Sequence, residues 1–242
     1  MSRRVVTLTV LNCSLVLGMV CTAVFTANGQ QPAKGPEGAP KEGKAKGKGP
    51  SRPPLFFREE WKQTAEGGEH GVLPESVANP DLELDLVGPT AEEMLLTGAA
   101  GDESNPIHVW TGMCTTPCAF TLKHKSSYAD LTGLARIRLV TKMSGFHQVH
   151  PLIKTADGMW LVGDRTDGSL SDWLESEFAV SDVRWLRVDP KRMVTSGTWV
   201  KDPDLSKVDE IGFADLMPSS GHGPGGWADV AKIEVFAKSV PR

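Results

Sequence analysis

Tyrosine occurs once in the 242 residues, cysteine only four times, and no Gly-x-Ser-x-Gly, phosphate-loop or dinucleotide fingerprint occurs at all. The missing signatures argue against nucleophile-elbow hydrolases and nucleotide-binding α/β enzymes, and Ser126, Ser127, Ser219 and Ser220 stand in no catalytic context. Hydrophobic residues at 40% and charged residues at 23% exclude both a wholly disordered chain and a polytopic membrane protein. Excess positive charge is absent from the part that can fold. Residues 1–54 hold eight Lys or Arg against two Glu, which leaves 18 basic against 28 acidic residues beyond them. A folded domain with that acidic balance is a poor partner for nucleic acid.

What is present begins with an address. Arg3 and Arg4 precede a mostly apolar run over residues 5–25, followed by Thr26, Ala27, Asn28 and Gly29. This reads as a secretory signal peptide over residues 1–29, cleaved after Gly29 or, alternatively, after Ala27. Left uncleaved, residues 5–27 are long enough to anchor the chain in a membrane, which is the one membrane association expected. Neither Cys13, preceded by Asn12, nor Cys21, preceded by Val20, has the small neighbour that lipidation requires. Residues 30–54 contain six Pro, five Gly and five Lys, with Ala33, Ala39 and Ala45 as the only hydrophobic residues. Such a segment cannot repay its ordering entropy and is expected to be a disordered tether, extended by repulsion among Lys41, Lys44, Lys46 and Lys48. Attraction of these lysines to anionic envelope polymers is the sharper alternative.

Residues 55–242 make one domain of ordinary size, and their pattern has period two. Leu82, Leu84 and Leu86 alternate with Glu83 and Asp85; Cys118, Phe120 and Leu122 with Ala119 and Thr121; Ile137 and Leu139 with Arg136 and Arg138. Asp157-Gly158 between residues 149–154 and 159–164 is a hairpin signal, because both residues tolerate positive φ. Further strands are expected over residues 174–180, 208–216, burying Ile211 and Phe213, and 231–238, burying Ile233 and Val235. The sole helical cue is the capping-box spacing of Thr90 and Glu93. Many short strands with almost no helix indicate an all-β antiparallel sandwich or jelly roll.

Tyr128, Asp130, Leu131, Thr132, Gly133 and Leu134, the strand over residues 135–141 and the Asp157-Gly158 hairpin resemble the middle of a galactose-binding-like jelly-roll domain. Residues 173–185 and 205–237 are similar to that fold's last three strands, and the resemblance spans residues 122–238. Many noncatalytic carbohydrate-binding modules share the architecture, so the resemblance implies a glycan partner. The chain is also similar to exported bacterial proteins that end in this way, a likeness that implies no activity.

Seven tryptophans are the composition's strongest pointer to a ligand, since indole rings stack on the C–H faces of sugars. Trp110, Trp160, Trp173 and Trp227 are the candidate stacking residues, whereas Trp61, Trp185 and Trp199 sit among strand-pattern apolar residues and are expected to pack. Arg136, Arg138, His150, Lys154, Glu175 and Glu177 form a polar trough if their strands are neighbours; cross-strand ion pairing explains the same charges without a ligand. Glu175 and Glu177, about 6.6 Å apart by strand rise, are the acid and base of the alternative, a jelly-roll glycoside-processing enzyme. A structural or protein-binding envelope component is the third reading.

The loop over residues 218–227, with His222 and four Gly, is longer than an ordinary hairpin and is a candidate binding loop. Residues 97–106, with Asp102 and Glu103, form a similar one. Cys114 and Cys118 are expected to form a disulfide after export; zinc needs two further ligands, with His108 and His124 nearest, and free thiols are the remaining alternative. His147 and His150, three apart on a strand, face opposite ways and do not share an ion. No cofactor is expected, apart from the structural calcium of jelly-roll modules, for which Asp229, Glu234 and Glu59 are the available carboxylates without an Asp-rich loop to support them.

Overall fold

The structure, a computed structural model, describes residues 51–64, 68–168, 170–218 and 225–242. The expected signal peptide, the tether up to residue 50, Cys13, Cys21, Ser219, Ser220 and His222 lie outside the described residues. In chain order the strands are β1 (Leu55–Glu59), β2 (His70–Gly71), β3 (Leu82–Val87), β4 (Leu95–Thr97), β5 (His108–Trp110), β6 (Cys118–His124), β7 (Ser127–Asp130) and β8 (Arg136–Ser144). They continue as β9 (Val149–Thr155), β10 (Trp160–Gly163), β11 (Leu174–Ala179), β12 (Trp185–Asp189), β13 (Val194–Val200), β14 (Val208–Asp215), β15 (Trp227–Phe236) and β16 (Lys238–Pro241).

These strands build an antiparallel β-sandwich. The first sheet runs β11-β8-β15-β5-β4-β2, with β1 also paired to β15; the second runs β13-β12-β10-β9-β14-β6-β3, with β7 on β14 and β16 on β7. Alternation along the strands explains the two layers. Every second residue of β8 is buried, so that Ile137, Leu139, Thr141 and Met143 face inward while Arg136, Arg138, Lys142 and Ser144 face out. Ile233 and Val235 of β15 join them, against Phe120, Leu122, Ile153, Ile211, Phe213 and Trp185 of the second sheet. Trp61 lies edge-on to Phe120 with ring centroids 5.2 Å apart, and its indole N–H donates to the Val230 carbonyl at 3.0 Å. Burial of this apolar surface is the main stabilising term, at about 25 cal/mol per Å².

The outer face of the second sheet is itself partly covered. Met193, in the β12–β13 hairpin, joins Val87, Ala119, Leu152, Val162, Val188 and Ala214 in a second apolar cluster. Its side chain comes so near Gly88 that a Cβ there would stand 2.8 Å from Met193 Cγ.

Several local expectations are corrected. Thr90 makes no side-chain cap on the 3₁₀ turn Ala91–Glu93, one of three short 3₁₀ turns among the described residues. Its hydroxyl donates to the Thr116 carbonyl at 3.1 Å and Glu93 accepts from the Thr115 amide at 3.1 Å, so both side chains tie this turn to the Cys114–Cys118 loop. Those cysteines are bridged, with Cα atoms 6.3 Å apart. Trp199 is 45% exposed rather than packed, because β13 is an edge strand, and its ring lies 4.4 Å from the Arg184 guanidinium carbon. The three calcium candidates go separate ways. Glu59 accepts backbone amides of Trp61, Ala78 and Asn79, Glu234 is held by Arg58 and Arg138, and Asp229 lies elsewhere on the sheet.

Candidate functional site

The outer face of the first sheet divides into a charged end and an aromatic end. At the charged end Arg138 lies 3.0 Å from Glu177, 3.3 Å from Glu234 and 3.8 Å from Glu175. Arg52 adds a 2.6 Å contact to Glu177, Arg136 one of 3.5 Å, and Lys232 lies 3.3 Å from Glu175. Burial alone would raise the Glu177 carboxyl, but hydrogen bonds and charge from Arg52 and Arg138 hold it below its ordinary value. The four trough residues Arg136, Arg138, Glu175 and Glu177 therefore do meet, as a cross-strand ion network whose members satisfy one another.

The rest of the expected trough is on the other sheet. His150 and Lys154 belong to β9, and Trp160 to β10, both strands of the second layer. His150 Nδ1 lies 3.2 Å from the Gly163 carbonyl, while Lys154 pairs with Glu210 at 2.7 Å and lies 5.2 Å from the centre of the Trp160 ring. Alternation fixes which side chains share a face of one strand, but strand order decides which faces meet.

At the aromatic end three adjacent strands converge. In β5, His108 and Trp110 face outward on either side of the fully buried Val109; in β15, Trp227 and Asp229 flank the fully buried Ala228. The register sets Asp229 opposite Trp110 on one side and Lys142 of β8 on the other. Trp173, immediately before β11, completes the group, with its ring 5.0 Å from that of His108 and 5.8 Å from Lys142 Nζ. Together these residues line a cavity of about 270 Å³, which Glu69, Thr97 and Asn105 complete.

Two supports hold the indoles in place. A Cβ on Gly112 would stand 2.4 Å from Trp110 ring atoms, so the ring lies directly over a residue that must be glycine. Trp173 Nε1 donates to the Ser104 carbonyl at 3.2 Å, pinning the loop over residues 98–107 across the sheet. Behind the site, Thr111 donates to Asp215 at 2.7 Å and accepts the Ala228 amide at 3.0 Å, and His147 Nδ1 binds the same Asp215 oxygen at 2.6 Å. This buried network ties the end of β5 to the start of β15. The sequence gives Thr111, His147 and Asp215 no shared motif, because their partnership exists only across the sheets.

Asp229 dominates the site's electrostatics. Burial, opposed by the Lys142 charge and by hydrogen bonding from Trp227, raises its carboxyl from 3.8 to about 7. Its Oδ1 has no hydrogen-bond partner among the described residues, and His108 Nε2 stands 3.7 Å away. Burial also lowers His108, against the raising effect of the 2.7 Å contact between its Nδ1 and the Pro106 carbonyl. Among the sequence candidates, Trp110, Trp173 and Trp227 thus share one cavity, whereas His108 and Asp229 are expected only as alternative metal ligands and Lys142 is not expected there at all.

No family model and no curated protein matches the chain. Among solved structures, a family 11 carbohydrate-binding module from Clostridium thermocellum, in complex with a β-1,3-1,4-mixed-linked tetrasaccharide, is 17% identical with a TM-score of 0.41, over 74% of this chain and all of that one. A second structure of a family 11 module, from the Clostridium thermocellum cellulase Lic26A-Cel5E, is 17% identical with a TM-score of 0.37, over 74% of this chain and 95% of that one. An exo-β-agarase is 8% identical with a TM-score of 0.39, over 72% of this chain but 25% of that chain. These likenesses are at the level of architecture, and the tetrasaccharide is the ligand of the module that holds it.

Proposed function

We propose that the protein is an exported, noncatalytic carbohydrate-binding protein: a signal peptide over residues 1–29, a tether over 30–54, and a sandwich over 55–242 that takes a glycan between Trp110, Trp173 and Trp227. The observation that carries this reading is the convergence of three indoles from three separate segments on a cavity containing a buried, incompletely bonded carboxylate. Indole faces stack on sugar C–H faces, and Asp229, His108, Thr97 and Asn105 offer the polar contacts that fix hydroxyl groups. Its volume of about 270 Å³ is near the lower end of small-molecule sites, roughly 300 Å³.

A glycan array followed by calorimetry on the full-length protein tests the proposal. Trp110→Ala, Trp173→Ala and Trp227→Ala are each expected to weaken binding at least about tenfold, as removal of a central aromatic anchor does. Trp160→Ala, on the other sheet, is expected to change it less than about threefold. Loss of binding in Trp160→Ala alone would contradict the assignment.

One observation favours a second reading, glycoside processing: a carboxyl near pH 7 is suited to general-acid work. Glu175 and Glu177 do not fit that role, being engaged by Lys232, Arg52 and Arg138. Release of reducing ends that disappears in Asp229→Asn would support the enzyme over the binding protein.

A further inference from the structure

We propose that the cavity takes the primary ammonium group of an amino sugar, held between Asp229 Oδ1 and His108 Nε2 and walled by the three tryptophans. The inference rests on the carbohydrate reading of this cavity and narrows its ligand class. It follows from counting hydrogens. A backbone carbonyl can only accept, so the 2.7 Å contact to Pro106 places the proton of a neutral His108 on Nδ1 and leaves Nε2 with a lone pair. That lone pair stands 3.7 Å from an Asp229 oxygen that has no donor among the described residues. With Asp229 ionised, two acceptors share one space; with it protonated, 3.7 Å is still too long for the carboxyl to donate to Nε2, and the side chain is only 6% exposed.

A sugar hydroxyl brings one hydrogen and satisfies one of the two. An ammonium group brings three and satisfies both, with a third left for a neighbouring ring oxygen or hydroxyl. Electrostatics points the same way. Glu69 from the segment before β2 and Asp229 from β15 face Lys142 from β8 and the uncharged His108 from β5, so the lining carries one negative charge in excess once Asp229 gives up its proton to the incoming ammonium. Indole faces attract cations, and Lys142 Nζ already lies 5.8 Å from the Trp173 ring centre. Before ligand arrives, burial keeps a proton on the Asp229 carboxyl below about pH 7. An incoming ammonium keeps its own protons and displaces that one to solvent, so binding releases a proton.

The test is calorimetric titration of the full-length protein with three probes: a β-1,4-linked glucosamine tetramer, its N-acetylated counterpart and the equivalent glucose tetramer. Titrations are run at pH 6 in two buffers of different ionisation enthalpy. The amine is expected to bind about tenfold or more tightly than either neutral tetramer, the increment of a charge-assisted hydrogen bond, and to release close to one proton per site. In Asp229→Asn both the preference and the proton release should vanish, whereas Trp160→Ala, on the other sheet, should keep both. Equal affinity for amine and glucose tetramers without proton release would overturn the amine assignment and leave the carbohydrate reading standing. Binding of none of the three, or an undiminished amine preference in Asp229→Asn, would also overturn it, the former taking the carbohydrate reading with it. Proton release is read on the wild-type protein, so the outcome does not depend on how the variant folds.

Discussion

Asp229 is the residue on which stability and recognition conflict. Its folded value of about 7 lies above the ordinary 3.8, so the folded state holds a proton that the unfolded chain has already lost. Stability from this source is therefore fully present below about pH 4 and lost as pH rises through 7. The span corresponds to roughly 4 kcal/mol. Urea denaturation of the wild type and of Asp229→Asn should show the difference between them moving by an amount of this order against the wild type between pH 4 and pH 8. A pH-independent difference would mean that the carboxyl is not desolvated as described. Such a penalty is expected where a group has work to do, and the proposed work here is to meet a donor on a ligand. At this scale the sequence revealed the tryptophans, because their number is unusual, but offered Asp229 only as a calcium carboxylate, not as their neighbour. Nothing in Ala228-Asp229-Val230 announces burial, which arises only when Lys142 and Trp110 close over it from neighbouring strands.

The elements that shape the site are the three strands and the loop over residues 98–107. Gly98, at φ of +86°, begins that loop, and a Cβ there would stand 2.0 Å from the Pro106 carbonyl oxygen. The loop closes on itself at this point and then reaches Trp173 through the Ser104 carbonyl. Gly98→Ala should therefore open the loop base: faster amide exchange over residues 99–106, loss of the Trp173 contact and glycan affinity lowered about tenfold or more, with the rest of the sandwich retained. Unchanged exchange would show that the loop is held elsewhere. Element boundaries were legible where large apolar residues recur at every second position and turn chemistry is strong, as in β3, β6 and the β9–β10 hairpin at Asp157-Gly158, although in β6 both faces are buried. They were missed where small or polar residues face the core. β8 continues past Thr141 because Thr141 and Met143 point inward, and β15 starts at Trp227 because Ala228 is fully buried.

At the scale of the whole molecule, the aromatic site exists because β5, β15 and β8, distant in sequence, are neighbours in one sheet. Residue patterns fix which way a side chain faces within a strand; they carry little information on which strands adjoin. That is why Trp110, Trp173 and Trp227 could be chosen and yet grouped with Trp160 and His150, which the second sheet carries. The same architecture gives the protein two outer faces of different character. One ends in a three-tryptophan cavity; the other is partly covered by its own hairpin through Met193. The seven indole N–H groups report on both faces at once. A ¹⁵N–¹H correlation spectrum recorded during titration with the glycan that binds should show the Trp110, Trp173 and Trp227 indole signals shifting together, with Trp61 and Trp185 unmoved in the core and Trp160 and Trp199 unmoved on the second sheet. Shifts confined to Trp160 or Trp199, with the three cavity signals unchanged, would contradict the account.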